Sequence, residues 1–356
     1  MGITKGVTAM TTQDSLSTRA GASAGQSPTL EMVAARAGVS RATVSRVVNA
    51  SPKVTPEVVE LVQSAIAELN YVPNRAARSL ASRKTQVIAL VVPESTAKVF
   101  DDPFFAAVIQ GVALYLADTD YTLNLLIASE TKSDKTRRYL LGGNVDGALV
   151  VSHHSGDHSY TRLGSTLPIV FGGRPINPET AEGHYVDVDN VAGARVATER
   201  LVKRGCRSIA TIAGPQDMPP GIDRLAGWKQ ALDAAGLDDS LVEFGDYSPA
   251  DGAAAMRRLL ARNVPIDGLF TYSDQLAAGA YSVIREAGLS IPGDIAVVGY
   301  DDDRHAGTVD PPLTTVNQAP AAMGAKMAEI VVRLIDGDEV ETATTMPTRL
   351  VIRESA

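Results

Sequence analysis

Apolar residues recur at helical spacing between residues 28 and 73 and predict three short helices. Gly38 is expected to end the first helix, because glycine readily adopts the left-handed conformation found after helices. Ser40 and Thr55 precede the second and third helices, where their side chains can accept hydrogen bonds from the first turn. The tight glycine-containing turn between the first two helices therefore predicts a helix-turn-helix domain over 28–73.

From Gln86 onward, short β-branched runs alternate with amphipathic helical segments. The predicted strands are VIALVV (87–92), TLNLLI (122–127), GALVV (147–151), PIVF (168–171), SIATIA (208–213), LVEFG (241–245), DGLFT (267–271) and IAVVG (295–299). Apolar runs of this kind predict strands buried on both faces, in parallel sheets that are covered by helices. A break near Asp189 divides this body into two halves of similar strand content.

Two segments lack a core-forming pattern. Residues 1–27 are rich in small polar residues and predict a disordered tail, within which Met10 is an alternative start to Met1. Residues 74–85 form a weak helical segment whose only large apolar side chain is Leu80. A helix this short is unstable alone, so we expect it to order only against a partner.

Composition narrows the class of protein. The chain has 356 residues, of which 45% are hydrophobic and 21% charged, so it can bury a sizeable core over two or three domains. Cys206 is the only cysteine, which excludes an intrachain disulfide and fits a reducing cytoplasm. No apolar run reaches the length of a membrane span, and the first 27 residues lack a signal-peptide pattern.

The net charge of −8 is unevenly distributed. Residues 1–86 contain ten basic and five acidic residues and carry +5, whereas the remainder carries −13. A basic head on an acidic body suggests a module that binds a polyanion such as DNA, although chance clustering is an equally simple explanation of the charge alone.

Polar side chains follow the predicted strands, where ligands of open α/β sheets bind. They are Glu94-Ser95, Ser129-Glu130, Ser152-His153, Gly173-Arg174, Gln216-Asp217, Asp246-Tyr247, Ser273-Asp274-Gln275 and Tyr300-Asp301-Asp302. Rings that could accompany them are Phe104, Phe105, Phe171 and Tyr247. Hydroxyl-matching groups beside aromatic faces suit a polyhydroxylated, uncharged ligand, while generic loop polarity is the alternative for each residue taken singly.

Residues 29–85 resemble the DNA-binding head of the LacI/GalR transcriptional regulators, through AGVS, TVSRVVN, ELNYVPN and RAARSL. The body resembles the same family through IATIAGP (209–215), SDQLAAGA (273–280), VVGYDD (297–302) and PPLTTVNQ (311–318). Within the family, DDPFF, FGGRP and IAGPQDM resemble the actinobacterial repressors that respond to cellobiose and related β-glucosides. The resemblance implies a helix-turn-helix head, a hinge helix over 74–85 and a periplasmic-binding-protein-like body of two parallel-sheet subdomains. These subdomains would be 86–189 with 317–335, and 190–316 with 336–356.

The resemblance also implies how the head contacts DNA. Arg41 and Arg46 would read guanine edges in the major groove, and the Ala42 methyl could touch a thymine. For Arg46 a surface salt bridge is the alternative role. The remaining implied contacts are with phosphates or lie in the hinge: Ser40, Thr43, Ser45, Asn49, Lys53, Thr55, Asn74, Ala77 and Leu80. Leu80 corresponds to a leucine that wedges into the minor groove.

In the body, Arg224 and Asp301 occupy the positions with which the family clamps sugar hydroxyls. The other implied effector contacts are Phe104, Ser152, Arg174, Tyr247, Ser273, Asp274 and Gln275. Ser273 departs from the asparagine common in the family. Trp228 follows Arg224 by one helical turn, and we interpret it as a core residue and not as a stacking platform. The resemblance implies a homodimer on a palindromic operator, since the chain lacks the C-terminal leucine-rich helix of the family's tetramers.

Three alternatives remain open. An enzyme is disfavoured because the body has no dinucleotide, P-loop or nucleophile-elbow motif, so we expect no catalytic residue and no cofactor. The cluster His153, His154 and His158 does not have a zinc spacing, and we expect no metal. A sugar receptor without regulatory role is disfavoured by the basic head and the missing export signal. A corepressor-dependent or purine-responsive regulator of the same family remains an alternative.

Overall fold

The computed structural model describes residues 28–49, 51–72, 84–127, 133–154, 160, 163–176 and 183–356. It divides the chain into two compact units, a head within residues 1–82 and a body within residues 83–356. The predicted tail and most of the predicted hinge segment, with Asn74, Ala77 and Leu80, lie outside the described residues.

The head contains the three predicted helices, α1 (Leu30–Ala37), α2 (Arg41–Val48) and α3 (Pro56–Leu69). Gly38 ends α1 with a φ of 66°, as its position predicted. The Ser40 hydroxyl accepts a hydrogen bond from the Thr43 amide at 3.1 Å and begins α2. The core of the head consists of apolar side chains from all three helices and the following turn: Val33, Ala34, Val44, Val62, Ala65 and Tyr71.

The body contains two sheets of six strands each. The first sheet, in the order in which its strands lie side by side, consists of β11 (Ala343–Met346), β5 (His184–Val188), β4 (Ile169–Gly172), β3 (Gly147–Val151), β1 (Val87–Val92) and β2 (Thr122–Ile127). All its strands are parallel. The helices of this half are α4 (Thr96–Asp101), α5 (Pro103–Leu116), α6 (Ser133–Leu141) and α12 (Pro320–Asp336). We call this half the first lobe.

The second sheet consists of β12 (Arg349–Val351), β10 (Thr314–Asn317), β9 (Ala296–Asp301), β8 (Gly268–Thr271), β6 (Ile209–Ala213) and β7 (Val242–Phe244). It is parallel except for β12, which pairs antiparallel with β10. Its helices are α7 (Asn190–Arg204), α8 (Pro219–Ala235), α9 (Pro249–Ala261), α10 (Asp274–Glu286) and α11 (Arg304–Thr308). We call this half the second lobe.

The predicted fold class is confirmed. Each of the eight predicted runs contains a strand whose bounds differ by at most two residues from the prediction. Every residue of β1, β3 and β6 is buried, as expected for strands covered on both faces, whereas β2 lies at an edge and is partly exposed. Strands β5, β10, β11 and β12 were not predicted from the sequence.

The assignment of residues 336–356 to the second subdomain is wrong for β11. This strand pairs in parallel with β5 of the first sheet, whereas β12, a few residues later, joins the second sheet. The segment from α12 to β12 therefore crosses between the lobes. Its strands are short and half-exposed, so their apolar pattern does not distinguish the two sheets.

Trp228 and Cys206 both pack in the core of the second lobe, and for Trp228 this role was predicted. Trp228 is fully buried in the core of the second lobe, which confirms that it is not a stacking platform. Cys206 is buried, and its thiol donates a hydrogen bond to the Asp267 carbonyl at 3.3 Å. Among the described residues, no helix is long and apolar enough to cross a membrane.

Candidate functional site

In the head, α2 presents a polar face of the kind predicted for base and phosphate contacts. Arg41, Ala42, Arg46 and Asn49 are exposed, while Val44 is fully buried and fixes the helix against the core. Of these, Ala42, Arg46 and Asn49 lie roughly opposite Val44 on the helix, so their directions are defined, as recognition of base edges requires.

The predicted contacts of the head differ in their existing partners. Arg41 pairs with Glu31 at 3.1 Å, both side chains being mostly exposed. Arg46, for which a salt bridge was the alternative role, makes no ion pair within the described residues. Ser40 and Thr43 bond to each other at 2.9 Å, and Asn49 donates to Ser45 at 3.4 Å. Lys53 and Thr55 are exposed on the turn before α3 and at its start.

In the body, a cleft encloses about 740 Å³, including its open mouth. Residues of both lobes form its walls. Six of the predicted effector residues line it, namely Phe104, Ser152, Arg174, Arg224, Tyr247 and Asp301. His153, which had been noted only as following a predicted strand, also lines the cleft. The other polar residues that line it had not been singled out: Lys98, Asp102, Asp187, Asn190 and Gln318.

Arg224, on α8, is the centre of the polar groups in the second lobe. Its side chain is only 4% exposed, yet it lines the cleft. The guanidinium donates to the Asn190 side-chain oxygen at 2.9 Å and to the Tyr272 carbonyl. It also lies over the Tyr300 ring, 3.7 Å from the ring centre. These contacts satisfy the buried charge and fix the orientation of its plane.

Asp301, at the end of β9, faces Arg224 at 3.7 Å and accepts a hydrogen bond from the Gln318 amide. Its φ of 111° lies in a region that non-glycine residues rarely adopt, which is typical of functional positions. Burial raises the pKa of the Asp301 carboxyl well above its usual range. Arg224 opposes this rise, and the Asp274 carboxylate adds to it. Beside the Arg224 guanidinium, a carboxyl held this way can exchange hydrogen bonds with a ligand hydroxyl.

Arg174 and Asp187 connect the wall of the first lobe to the second. The Arg174 guanidinium forms a two-pronged ion pair with Asp223 of α8, with contacts of 2.6 and 2.9 Å. Its backbone amide donates to Asp187 at 2.8 Å, and Asp187 also accepts a bond from Asn190 at 3.1 Å. The Arg174 backbone amide therefore helps to position the Asp187 carboxylate, while its guanidinium is already paired with Asp223.

Aromatic and charged side chains occupy the mouth of the cleft. Phe104 packs edge-on against Phe105, with ring centres 5.6 Å apart. Lys98 lies 6.0 Å from the centre of the Tyr247 ring, on the opposite lobe. Burial raises the pKa of the Tyr247 hydroxyl to about 12, so it remains a neutral donor. Rings beside directional polar groups are the surroundings that the apolar face and hydroxyls of a sugar need.

Ser273, Asp274 and Gln275 are buried and are not among the residues that line this cleft. Ser273 begins α10 by accepting a hydrogen bond from the Leu276 amide at 3.2 Å. Asp274 accepts from the Thr315 hydroxyl at 2.6 Å and from the Asp303 amide at 2.9 Å. Both side chains hold the second lobe together instead of facing the cleft.

The histidine cluster does not form a metal centre within the described residues. His154 bonds to carboxylates on two sides, Glu94 at 3.2 Å and Asp217 at 2.9 Å. His153 lies edge-on against Phe171 and bonds to the Arg174 carbonyl at 3.2 Å. His158, the third member, lies outside the described residues.

Comparison with known proteins agrees with both units. A profile of the bacterial regulatory proteins of the lacI family matches residues 29–74, and a periplasmic binding protein-like domain matches residues 198–356. The HTH-type transcriptional regulator CelR of Thermobifida fusca is 46% identical over 333 residues, which cover 92% of this chain and 98% of CelR. The chain belongs to the LacI family. It is a DNA-binding transcriptional regulator with a helix-turn-helix head and a periplasmic-binding-protein-like body.

Two solved LacI-family structures match nearly the whole chain. The transcriptional regulator CelR–cellobiose complex is 44% identical, with a TM-score of 0.74, and the match covers 92% of this chain and 100% of that one. The lac repressor dimer bound to operator and the anti-inducer ONPF is 27% identical, with a TM-score of 0.82 and coverage of 93% and 99%.

Proposed function

We propose that this LacI-family protein is a cytoplasmic, non-catalytic repressor that binds a palindromic operator as a homodimer. A β-linked disaccharide such as cellobiose, bound in the cleft of the body, would lower its operator affinity. The observation that carries the proposal is the fixed polar group of Arg224, Asn190, Asp301 and Gln318 beside the rings of the cleft mouth. The similarity to CelR, whose structure was solved with cellobiose, supports the choice of sugar.

The charge balance of this polar group favours an uncharged ligand. Arg224 already has Asp301 and the Tyr300 ring beside it, so it offers donors without an uncompensated positive charge. Asp187 likewise has its oxygens bonded to backbone and amide donors. A phosphate or carboxylate would meet these carboxyls at close range, whereas sugar hydroxyls can both donate to Asp301 and accept from Arg224.

For the head, we assign base reading to the exposed face of α2, with Arg41 and Arg46 contacting guanine and Ala42 contacting a thymine methyl. Ser40, Thr43, Ser45, Asn49, Lys53 and Thr55 would contact phosphates and fix the register. The hinge residues Asn74, Ala77 and Leu80 complete the proposed contacts, Leu80 as a minor-groove wedge. The acidic body would leave the basic head as the part that contacts DNA.

The test measures operator binding by fluorescence anisotropy, with a labelled palindromic duplex and increasing concentrations of cellobiose, maltose, glucose or hypoxanthine. We expect cellobiose to weaken operator binding at least tenfold, and the α-linked maltose to act less. Hypoxanthine as the only effective ligand would contradict the proposal. Stronger operator binding with cellobiose would instead make the sugar a corepressor.

A matched pair of variants locates the effect. Asp301→Asn keeps the shape of the cleft but removes the carboxylate, and we expect it to shift the cellobiose response to at least tenfold higher sugar concentration. Asp310→Asn, at a side chain that is 91% exposed, should respond as the unmodified protein does. If both variants respond equally, Asp301 does not contact the effector.

A further inference from the structure

Three ion pairs cross the mouth of the cleft from one lobe to the other. They are Lys98 to Asp246 at 3.2 Å, His154 to Asp217 at 2.9 Å and Arg174 to Asp223 at 2.6 Å. In each pair the basic side chain belongs to the first lobe and the aspartate to the second. Opposite charges sorted in this way attract the two walls toward each other, and opening the cleft would separate all three pairs.

His154 is the member of this set that sits between two carboxylates. Its Nε2 lies 3.2 Å from Glu94 of its own lobe, and its Nδ1 lies 2.9 Å from Asp217 of the other. Glu94 in turn accepts from the Ser152 hydroxyl at 2.6 Å and pairs with Lys98 at 3.0 Å. The first lobe therefore holds the imidazole ring in place, and Asp217 is the partner that opening would remove.

We propose that these three pairs form a charge clasp that sets how often the cleft is closed, with His154 as a positioning residue that acts through closure and not through contact with the effector. His154, Glu94 and Asp217 do not line the cleft, which separates this role from effector recognition. The clasp rests on the proposed function only in using cellobiose as one of its two probes.

The clasp gives closure a definite dependence on pH. Hydrogen bonding to Glu94 raises the pKa of His154 to about 9, with burial opposing and Asp217 adding to the rise. The closed form binds the His154 proton more tightly than an open form that keeps Glu94 but lacks Asp217, so the contribution of the clasp is present below the pKa of the open form. It is lost as the pH rises through about 9.

The other charged groups near His154 do not titrate in the same interval. The Glu94 carboxyl is subject to burial, which raises its pKa, but hydrogen bonds from His154 and Ser152 lower it to about 2. The charge of Glu94 raises the pKa of Lys98 above its usual range, against the opposing effect of burial. Both therefore stay charged between pH 7 and 9, and His154 is the group whose charge changes.

The test is a double-mutant cycle in the full-length protein, with His154→Gln, Asp217→Asn and both together. For each variant, hydrogen exchange of the backbone amides in 94–104 and 214–224 is measured without ligand. The cellobiose Kd is measured by calorimetry from pH 7 to 10. Each single variant should exchange faster at the cleft mouth and bind cellobiose about two- to fivefold more weakly at pH 7, since Asp217 is 52% exposed and screened by solvent.

The double variant should be no worse than either single one, because the pair is already broken. The unmodified protein should lose its advantage over His154→Gln as the pH rises through about 9. His184→Gln is the matched control, since His184 bonds to the Val340 carbonyl within the first lobe, and it should change neither readout.

Additive effects of the two single substitutions, or a pH profile that His154→Gln leaves unchanged, would overturn the clasp. If His154→Gln alters folding, Asp217→Asn still decides the result because its side chain is half-exposed. If cellobiose gives no binding heat but the ligand-free exchange responds as expected, the clasp stands and the proposed effector is wrong.

Discussion

The two lobes contribute to the cleft in different ways. In the second lobe, Arg224 is 4% exposed and is held by groups of its own lobe and of the adjoining segment. In the first lobe, Arg174 is 29% exposed, and its guanidinium pairs with Asp223 of the opposite lobe. Lys98 and His154 of the first lobe likewise pair with aspartates of the opposite lobe.

This difference separates recognition from closure. Side chains that are fixed before the ligand arrives lose little entropy on binding, so the second lobe is suited to define which hydroxyls are recognised. Side chains whose partners lie across the cleft change their energy when the lobes move, so the first lobe is suited to sense closure. Substitutions that are matched between the lobes test this difference.

The largest effect is expected for Arg224→Ala measured against Arg174→Ala. Removing Arg224 leaves Asp301 buried without its cation, and we expect the free energy of unfolding to fall by about 3–5 kcal/mol. Removing the more exposed Arg174 should lower it by about 1 kcal/mol. Urea denaturation without effector measures both. Equal losses would mean that the second lobe is not the more tightly fixed of the two.

An intermediate effect is expected for Gly214→Ala, next to the Tyr247 ring. A Cβ at this position would lie 2.5 Å from the Tyr247 hydroxyl oxygen and from its ring carbon, so the ring must move. We expect a loss of about 1–3 kcal/mol in the free energy of unfolding and weaker cellobiose binding. Gly307→Ala, where a Cβ meets nothing within 4 Å, is the control and should be neutral or slightly stabilising. If Gly214→Ala leaves the free energy of unfolding unchanged, the Tyr247 ring is not held firmly in place.

The fold followed closely from the sequence because its strongest signals are local. Unbroken apolar runs predicted β1, β3 and β6, and helix signals at Gly38 and Ser40 predicted the head. Strands β5 and β10 mix polar and apolar residues, HYVDV and TTVN, and carry no such run. They form because their neighbours in the sheet supply partners, which is information from distant parts of the chain.

The missed strands β5 and β10 explain three of the missed site residues. Asp187 lies within β5, Asn190 begins the helix after it, and Gln318 follows β10, so none of them stood at the end of a predicted strand. Asp274 is the converse case. It follows β8 as expected, but Thr315 and the Asp303 amide turn its carboxylate inward. Position at a strand end was predictable, whereas the direction of the side chain depends on long-range packing.

The smallest effect concerns a helix start in each lobe. Asp102 begins α5 by accepting from the Phe104 amide at 2.9 Å, and Asp189 begins α7 by accepting from the Ala192 amide at 2.9 Å. Asp189 is exposed, whereas Asp102 lies in the cleft wall. Burial raises the pKa of Asp102 from its ordinary 3.8 to about 6. The Phe104 amide opposes this rise, and the Asp303 carboxylate adds to it.

Since the folded protein binds the Asp102 proton more tightly than the unfolded chain does, stability is lost as the pH rises from about 4 to 6 and stays lost above that interval. Asparagine begins a helix as well as aspartate does but carries no charge. Asp102→Asn should therefore raise the free energy of unfolding by about 1 kcal/mol at pH 7.5, after allowance for solvent screening, and by nothing at pH 4. Asp189→Asn, at an exposed helix start, is the matched control and should leave the free energy of unfolding nearly unchanged. Urea denaturation at both pH values measures the two free energies of unfolding. A gain of equal size in the two variants would mean that the effect belongs to helix starts in general and not to the buried Asp102 of the first lobe.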